Sequence, residues 1–181
     1  MFTRSFSSTL GLLLLGQSVL LVGLSQEGPG LGVVATPEQV AAWSITILPD
    51  GTGLPPGSGT AEDGELIYAR HCLSCHGPTG IEGPNDKLVG GHGTISEDRP
   101  VRTVGSCWPY ATTVFDYIRR AMPLTEPLSL LTNDGVYAVT AYLLALNGII
   151  DDDEVMDAQT LPKVKMPNVD NFVWAYQDDG E

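Results

Sequence analysis

The stretch Gly77–Thr94, "GPTGIEGPNDKLVGGHGT", is too rich in glycine to bury an apolar face of its own, yet segments patterned as helices flank it on both sides. Loops of this length without regular structure are uncommon inside compact domains. A chain that carries one must close it over an apolar object supplied from elsewhere. Directly before the loop stands "HCLSCHG", in which Cys72 and Cys75 bracket two residues and His76 follows at once.

Four chemistries use such a pair. A structural zinc site needs four ligands, typically two such pairs. The one further cysteine, Cys107, lies in "VGSCWPY" with no cysteine or histidine beside it. A redox dithiol normally opens a helix after a strand, whereas here the pair closes the helical segment "AEDGELIYARHC". A disulfide between Cys72 and Cys75 would close a tiny strained ring and leave His76 without a role. The remaining chemistry is covalent attachment of one haem c, each thiol adding to a vinyl group and His76 becoming the proximal ligand of the iron.

An iron with one histidine ligand has a second face. Thioether sulfur stabilises ferrous iron and raises the potential, which suits an electron carrier. Met122, in "RRAMPLTEP" just before the last helical segment, is the expected distal ligand, stiffened by Pro123. Met166 and His92 are the alternatives. A carbonyl near "GPN", that of Pro84, is expected to accept the second ring N–H of His76. Arg102, Trp108 and Tyr110 are candidate contacts for the haem propionates, because buried carboxylates need donors or a cation. Plain core packing is the alternative for the two aromatics.

Around these groups the chain reads as helical. "AEDGELIYARHC" opens with acids where the helix dipole favours them. "ATTVFDYIRRAM" is apolar at Val114, Phe115 and Ile118 and stops before Pro123. "TNDGVYAVTAYLLALNG" is capped by Thr132 or Asn133, carries the stripe Val136, Val139, Leu143 and Leu146, and closes at Gly148. Upstream, "ATPEQVAAW" predicts a short helix with Thr36 as N-cap. "WSITILPDG" alternates as a strand would, with Trp43, Ile45 and Ile47 on one face, and ends in a turn. The expected organisation is a signal peptide over 1–25, an N-terminal extension and linker over 26–60, a haem domain over 61–147 and a C-terminal extension over 148–181.

The start of the chain reads as an export signal. Arg4 precedes the apolar run Leu10–Leu24, which is shorter than the roughly 18 to 20 residues that cross a bilayer. Gly23-Leu24-Ser25 then offers a small-x-small cleavage pattern; an uncleaved anchor is the alternative. Periplasmic export and no stable membrane span are expected. A formal net charge of -13 argues against nucleic acid, whose phosphates demand a cationic surface, and fits docking through acidic faces.

These residues resemble class I c-type cytochromes: Gly64, Tyr68 and Tyr142 on crossed first and last helices, "GPN" after the attachment site and "MP" before the final helix. The resemblance narrows along "LVGGHGT", "RPVRTVGSCWPYATTVFDYIRRAMPL", "VYAVTAYLLALNGII" and "LPKVKMPN", which look like the SoxD-type cytochrome subunit of sulfite and sulfane-sulfur dehydrogenases. It implies an all-α fold, three to four helices around one covalently bound haem, with irregular extensions. It also implies a molybdenum-cofactor oxidoreductase partner that donates electrons and a downstream cytochrome c that accepts them. The chain would then be an electron-transfer subunit and not itself a catalyst. A free shuttle, a subunit of another periplasmic dehydrogenase and a haem enzyme with an open distal site remain as alternatives. The family pattern has an aromatic where Cys107 stands, and no second attachment motif is present. The aromatics of both extensions, together with the acids Asp151–Glu154 and Asp178–Glu181, are expected to contribute to a partner interface.

Overall fold

The computed structural model describes residues 30–126 and 130–172, so the Leu10–Leu24 run and the tail residues Val173, Trp174 and Tyr176 fall outside the described residues. Two compact units result, residues 1–43 and 44–181. In the first, helix α1 (Pro37–Trp43) begins at a reciprocal cap. Gln39 N–H donates to Thr36 Oγ1 at 3.3 Å, and Thr36 N–H donates to Gln39 Oε1 at 2.9 Å. This is the capping-box arrangement. None of the residues of α1 is buried, Trp43 included.

The second unit runs β1 (Ser58–Gly59), α2 (Ala61–His71), α3 (Leu73–His76), α4 (Val104–Cys107), α5 (Ala111–Ala121), α6 (Asn133–Leu146) and β2 (Met156–Asp157). Among the described residues its regular structure is helical apart from one antiparallel ladder, Ser58 opposite Asp157 and Gly59 opposite Met156. Thr60 Oγ1 caps α2 by accepting from Asp63 N–H at 3.2 Å, with Glu62 and Asp63 in the first turn and Arg70 and His71 in the last. That charge order matches the helix dipole. Thr132 caps α6 through Gly135 N–H at 3.1 Å, and Gly148 leaves it at φ 64°, a left-handed turn that glycine adopts without strain.

The crossing of α2 and α6 needs its small residues. A Cβ at Gly64 would lie 2.0 Å from Ala138 O, so only glycine lets the two backbones meet there. One turn further on, Tyr68 and Tyr142 pack with ring centroids 5.2 Å apart.

Burial of α6 goes well beyond the single stripe that its sequence suggested. Val136, Val139 and Leu143 are buried as expected, but so are Tyr137, Thr140, Ala141 and Leu144. The cause lies in the segments that precede and follow residues 61–147. Tyr137 Oη donates to Pro55 O at 2.9 Å, and Ser58 N–H donates to Asp134 Oδ1 at 2.8 Å. Met156, Leu161 and Met166 are at most 1% exposed and share one core with Phe115, Tyr137 and Leu144. Residues 148–172 therefore close the fold.

The expected strand at Trp43–Ile47 does not form. Trp43 ends α1, and the residues after it run extended beside α5 with no strand partner. Their carbonyls are taken by side chains instead: Arg120 Nη2 donates to Ile45 O at 2.8 Å, and Thr112 Oγ1 donates to Pro49 O at 3.2 Å. Ile47 alone of the alternating set is buried. The turn at Pro49–Gly51 does form, with Gly51 at φ 91°.

Because Met166 fills the core, Met166→Ala should destabilise the protein by about 2–5 kcal/mol, the range for truncating a buried methionine. Denaturant titration measures it; an unchanged midpoint would contradict the packing described.

Candidate functional site

The Cys72–His76 turn hangs from the end of α2. Cys72 N–H continues the helix to Tyr68 O at 2.8 Å, and His76 N–H returns to Cys72 O at 3.0 Å, which makes α3 a single tight turn. Gly77 terminates it at φ 82°. Tyr68, buried in the core, donates its hydroxyl to Gly77 O at 2.8 Å and ties the turn to the α2–α6 crossing. Burial, helped by the nearby Cys72 thiol, pushes the Tyr68 phenol up to about 12. Burial also pushes the Cys72 thiol up to about 11, so it is a neutral thiol at pH 7. Cys72 is half-buried and Cys75 exposed, and neither is in a disulfide.

The glycine-rich loop folds back under this turn. Asn85 N–H donates to Cys75 O at 3.0 Å, and a Cβ at Gly83 would lie 2.1 Å from the same oxygen. The loop can pass that close only as glycine. Two residues past Pro84, Asp86 O lies 2.8 Å from His76 Nδ1. A carbonyl only accepts, so Nδ1 carries the proton and Nε2 is the free basic nitrogen of the neutral ring. The carbonyl expected from Pro84 is thus supplied by Asp86, because the anchor of Asn85 on Cys75 sets the loop one step further along. Glu82 braces the start of the loop by accepting from Thr79 N–H at 3.1 Å and from the Thr79 hydroxyl. These bonds, the hydroxyl's first, hold its carboxyl below the usual carboxylate range.

Between α2, the loop, α4, α5 and α6 lies a cavity of about 550 Å³. Cofactor sites typically enclose roughly 300–1,000 Å³. Cys72, Cys75 and His76 line it, as does Met122. Met122 sits where α5 stops: the residue before a proline is disfavoured in helical conformation, and Met122 is extended at φ -121° and ψ 141°. Val139 and Leu143 of α6, Ile118 of α5 and Leu124 supply apolar wall. Lys87 and Arg102 also line it, both exposed cations.

Not every expected residue is there. Trp108 lines the cavity and packs edge-on against Tyr117, another lining residue, at 5.4 Å between centroids. Tyr110 does not line it; it is the N-cap of α5, and Tyr117, one turn into the same helix and beyond, takes the place expected of it. Pro84 does not line it either. His71 also lines the cavity, half-buried. Of the alternative ligands, Met166 is in the core and His92 is exposed beside Gly105; neither lines the cavity. Cys107 does, with its carbonyl accepting from Asn168 Nδ2 at 3.1 Å. Asp86 could not have been singled out from the sequence, since any residue's carbonyl can serve.

The donor set fits a haem c. Two thiols, an imidazole with its outer nitrogen already hydrogen-bonded, and a thioether share one largely apolar wall. No cluster of three or more His, Cys, Asp or Glu suited to holding a bare metal ion occurs among the described residues.

Fold and donor set together define a c-type cytochrome domain. Residues 59–143 match the family model described as cytochrome c oxidase, cbb3-type, subunit III. The structure also matches a chain of the crystal structure of the sulfane dehydrogenase SoxCD from Paracoccus pantotrophus, with 42% sequence identity and a TM-score of 0.73, over 84% of this chain and 74% of that one. No curated protein sequence matches significantly. The chain belongs to the c-type cytochromes, and among them it resembles the SoxD-type subunit.

The Tyr68 hydroxyl gives a test of the turn. Tyr68→Phe should cost about 0.5–1.5 kcal/mol at pH 7. Because the folded-state value is raised from 10.0 to about 12, the contribution is fully present below pH 10 and is lost as pH rises from there toward 12. Denaturation curves of the variant should lack that part of the alkaline decline; an identical decline in both proteins would show that the Tyr68 phenol is not buried as described.

Proposed function

We propose that this chain is a periplasmic monohaem cytochrome c that carries one electron at a time between an oxidoreductase subunit and a further cytochrome. Cys72 and Cys75 would hold the haem through thioethers, and His76 Nε2 and the Met122 sulfur would ligate its iron. The observation that carries the reading is the convergence of these four side chains on one cavity of about 550 Å³. When bound, the haem supplies a one-electron ferric/ferrous couple.

The residues around it account for a carrier. Asp86 O orients His76 and raises its basicity. Met122 favours the ferrous state. With His76 and Met122 both on the iron, no coordination site would be open to a substrate. Val139, Leu143 and Ile118 give the cavity an apolar wall against water, and Arg102 and Lys87 offer countercharges to the propionates, with Trp108 on the same lining. Residues 1–25 serve as the export signal and 61–147 as the haem domain. Among the described residues no helix is long and apolar enough to cross a membrane.

The likeness to a SoxCD chain supports a partner of sulfane or sulfite dehydrogenase type with a molybdenum cofactor, from which this chain accepts electrons. One observation favours a second reading. Residues 148–172 pack on the protein's own core, which removes part of the surface expected for a permanent partner and suits a free shuttle.

Two experiments test these statements. Met122→Ala should abolish the sulfur-to-iron band at the red end of the ferric spectrum and lower the reduction potential, whereas Met166→Ala should only destabilise. Loss of the band in Met166→Ala alone would reject the ligand assignment. The tagged protein purified from its native host should carry molybdenum along with haem; a monomeric, molybdenum-free preparation would favour the shuttle.

A further inference from the structure

Asn147 is one of the few buried polar side chains, 7% exposed at the end of α6, and it lies outside the cavity lining. All of its amide's bonds go to cavity-lining backbone or to the loop next to it. Nδ2 donates to Leu143 O at 2.8 Å and to Leu88 O at 3.1 Å, while Oδ1 accepts from Gly90 N–H at 3.1 Å. Leu88 O also accepts from Val104 N–H at 3.2 Å, which joins α4 to the same point. The amide is wedged in place: a Cβ at Gly105 would lie 2.4 Å from Asn147 Oδ1. Thr103, the cap of α4, donates its hydroxyl to Gly90 O and completes the junction.

This junction bears on His76 through a short path. Asp86 O, the acceptor of His76 Nδ1, lies in a loop pinned at two ends. Asn85 N–H to Cys75 O fixes the near end, and the far end is fixed at Leu88, by its N–H to Gly80 O at 2.7 Å and by its carbonyl on Asn147. Only Asp86 and Lys87 lie between the pins. If the far pin loosens, the Asp86 carbonyl is free to swing away from the imidazole.

We propose that Asn147 is a positioning residue for the haem site: by fixing the 85–90 loop on α4 and α6 it holds Asp86 O on His76 Nδ1 and so sets the ring orientation and basicity of the proximal ligand. The inference rests on the assignment of His76 as that ligand. A hydrogen-bonded ligand N–H makes the imidazole a stronger donor, and second-shell partners of this kind tune a site well beyond their own contacts. A stronger donor favours ferric iron, so loosening the pin shifts the couple toward the ferrous form.

The test uses the holoprotein. Asn147→Ala should raise the reduction potential by an amount equal to a severalfold shift of the one-electron equilibrium toward the reduced form. The His76 ring signals in the paramagnetic NMR spectrum should move, and the Gly90 amide should exchange faster. Gly105→Ala, which displaces the Asn147 amide without removing it, should shift the potential in the same direction and serves if Asn147→Ala does not fold. Leu161→Ala, a core truncation away from the cavity, controls for lost stability and should leave both potential and ring signals in place. An unchanged potential in the Asn147 and Gly105 variants, or an equal shift in Leu161→Ala, overturns the proposal. A wild-type spectrum without histidine ligation would overturn the assignment beneath it as well.

Discussion

At Gly64 the backbone of α2 meets that of α6 so closely that a methyl group would sit 2.0 Å from Ala138 O. Everything at the site is placed from this contact. The crossing fixes the direction in which α2 ends, and Cys72 continues that helix into the Cys72–His76 turn. Tyr68, packed on Tyr142 across the same crossing, then holds Gly77 O where the turn closes. A short helix of this kind has little stability alone, so the orientation of His76 is a property of tertiary packing.

The glycine-rich loop, which looked like a defect in the sequence, works as the inner wall. Gly83 and Asn85 lie against Cys75 O, Asp86 orients the imidazole, and Leu88 and Gly90 are taken up by Asn147. Several of its carbonyls and amides are paired with neighbouring segments. Opposite it, the C-terminal segment covers the outer side of α6 with Met156, Leu161 and Met166. The haem-type core is therefore closed by elements on both sides of it, including residues beyond the 59–143 stretch that the family pattern matches.

Much of this was legible in the sequence because its signals are local. Helices α2, α5 and α6 follow from their caps, from apolar periodicity and from Pro123 and Gly148, and the structure puts them close to where those signals stand. Cys72, Cys75, His76 and Met122 were recognisable from residue type and order. The failures were non-local. The alternation at Trp43–Ile47 mimics a strand, but a strand needs a partner, and side chains of α5 took its carbonyls first. Asp86 displaced Pro84 because a carbonyl acceptor leaves no mark in side-chain identity. The role of Asn147 depends on three segments distant in the chain, and Met166 looked free to ligate because the core that buries it is assembled from both extensions.

The central claim, that Cys72 and Cys75 bind a haem covalently across this cavity, is tested most directly by mass spectrometry of the tryptic peptide His71–Lys87 from protein purified without reductant. The account predicts a peptide heavier by one haem, in which neither cysteine can be alkylated. A peptide of unmodified mass with two alkylatable thiols, or with a Cys72–Cys75 disulfide, would contradict it.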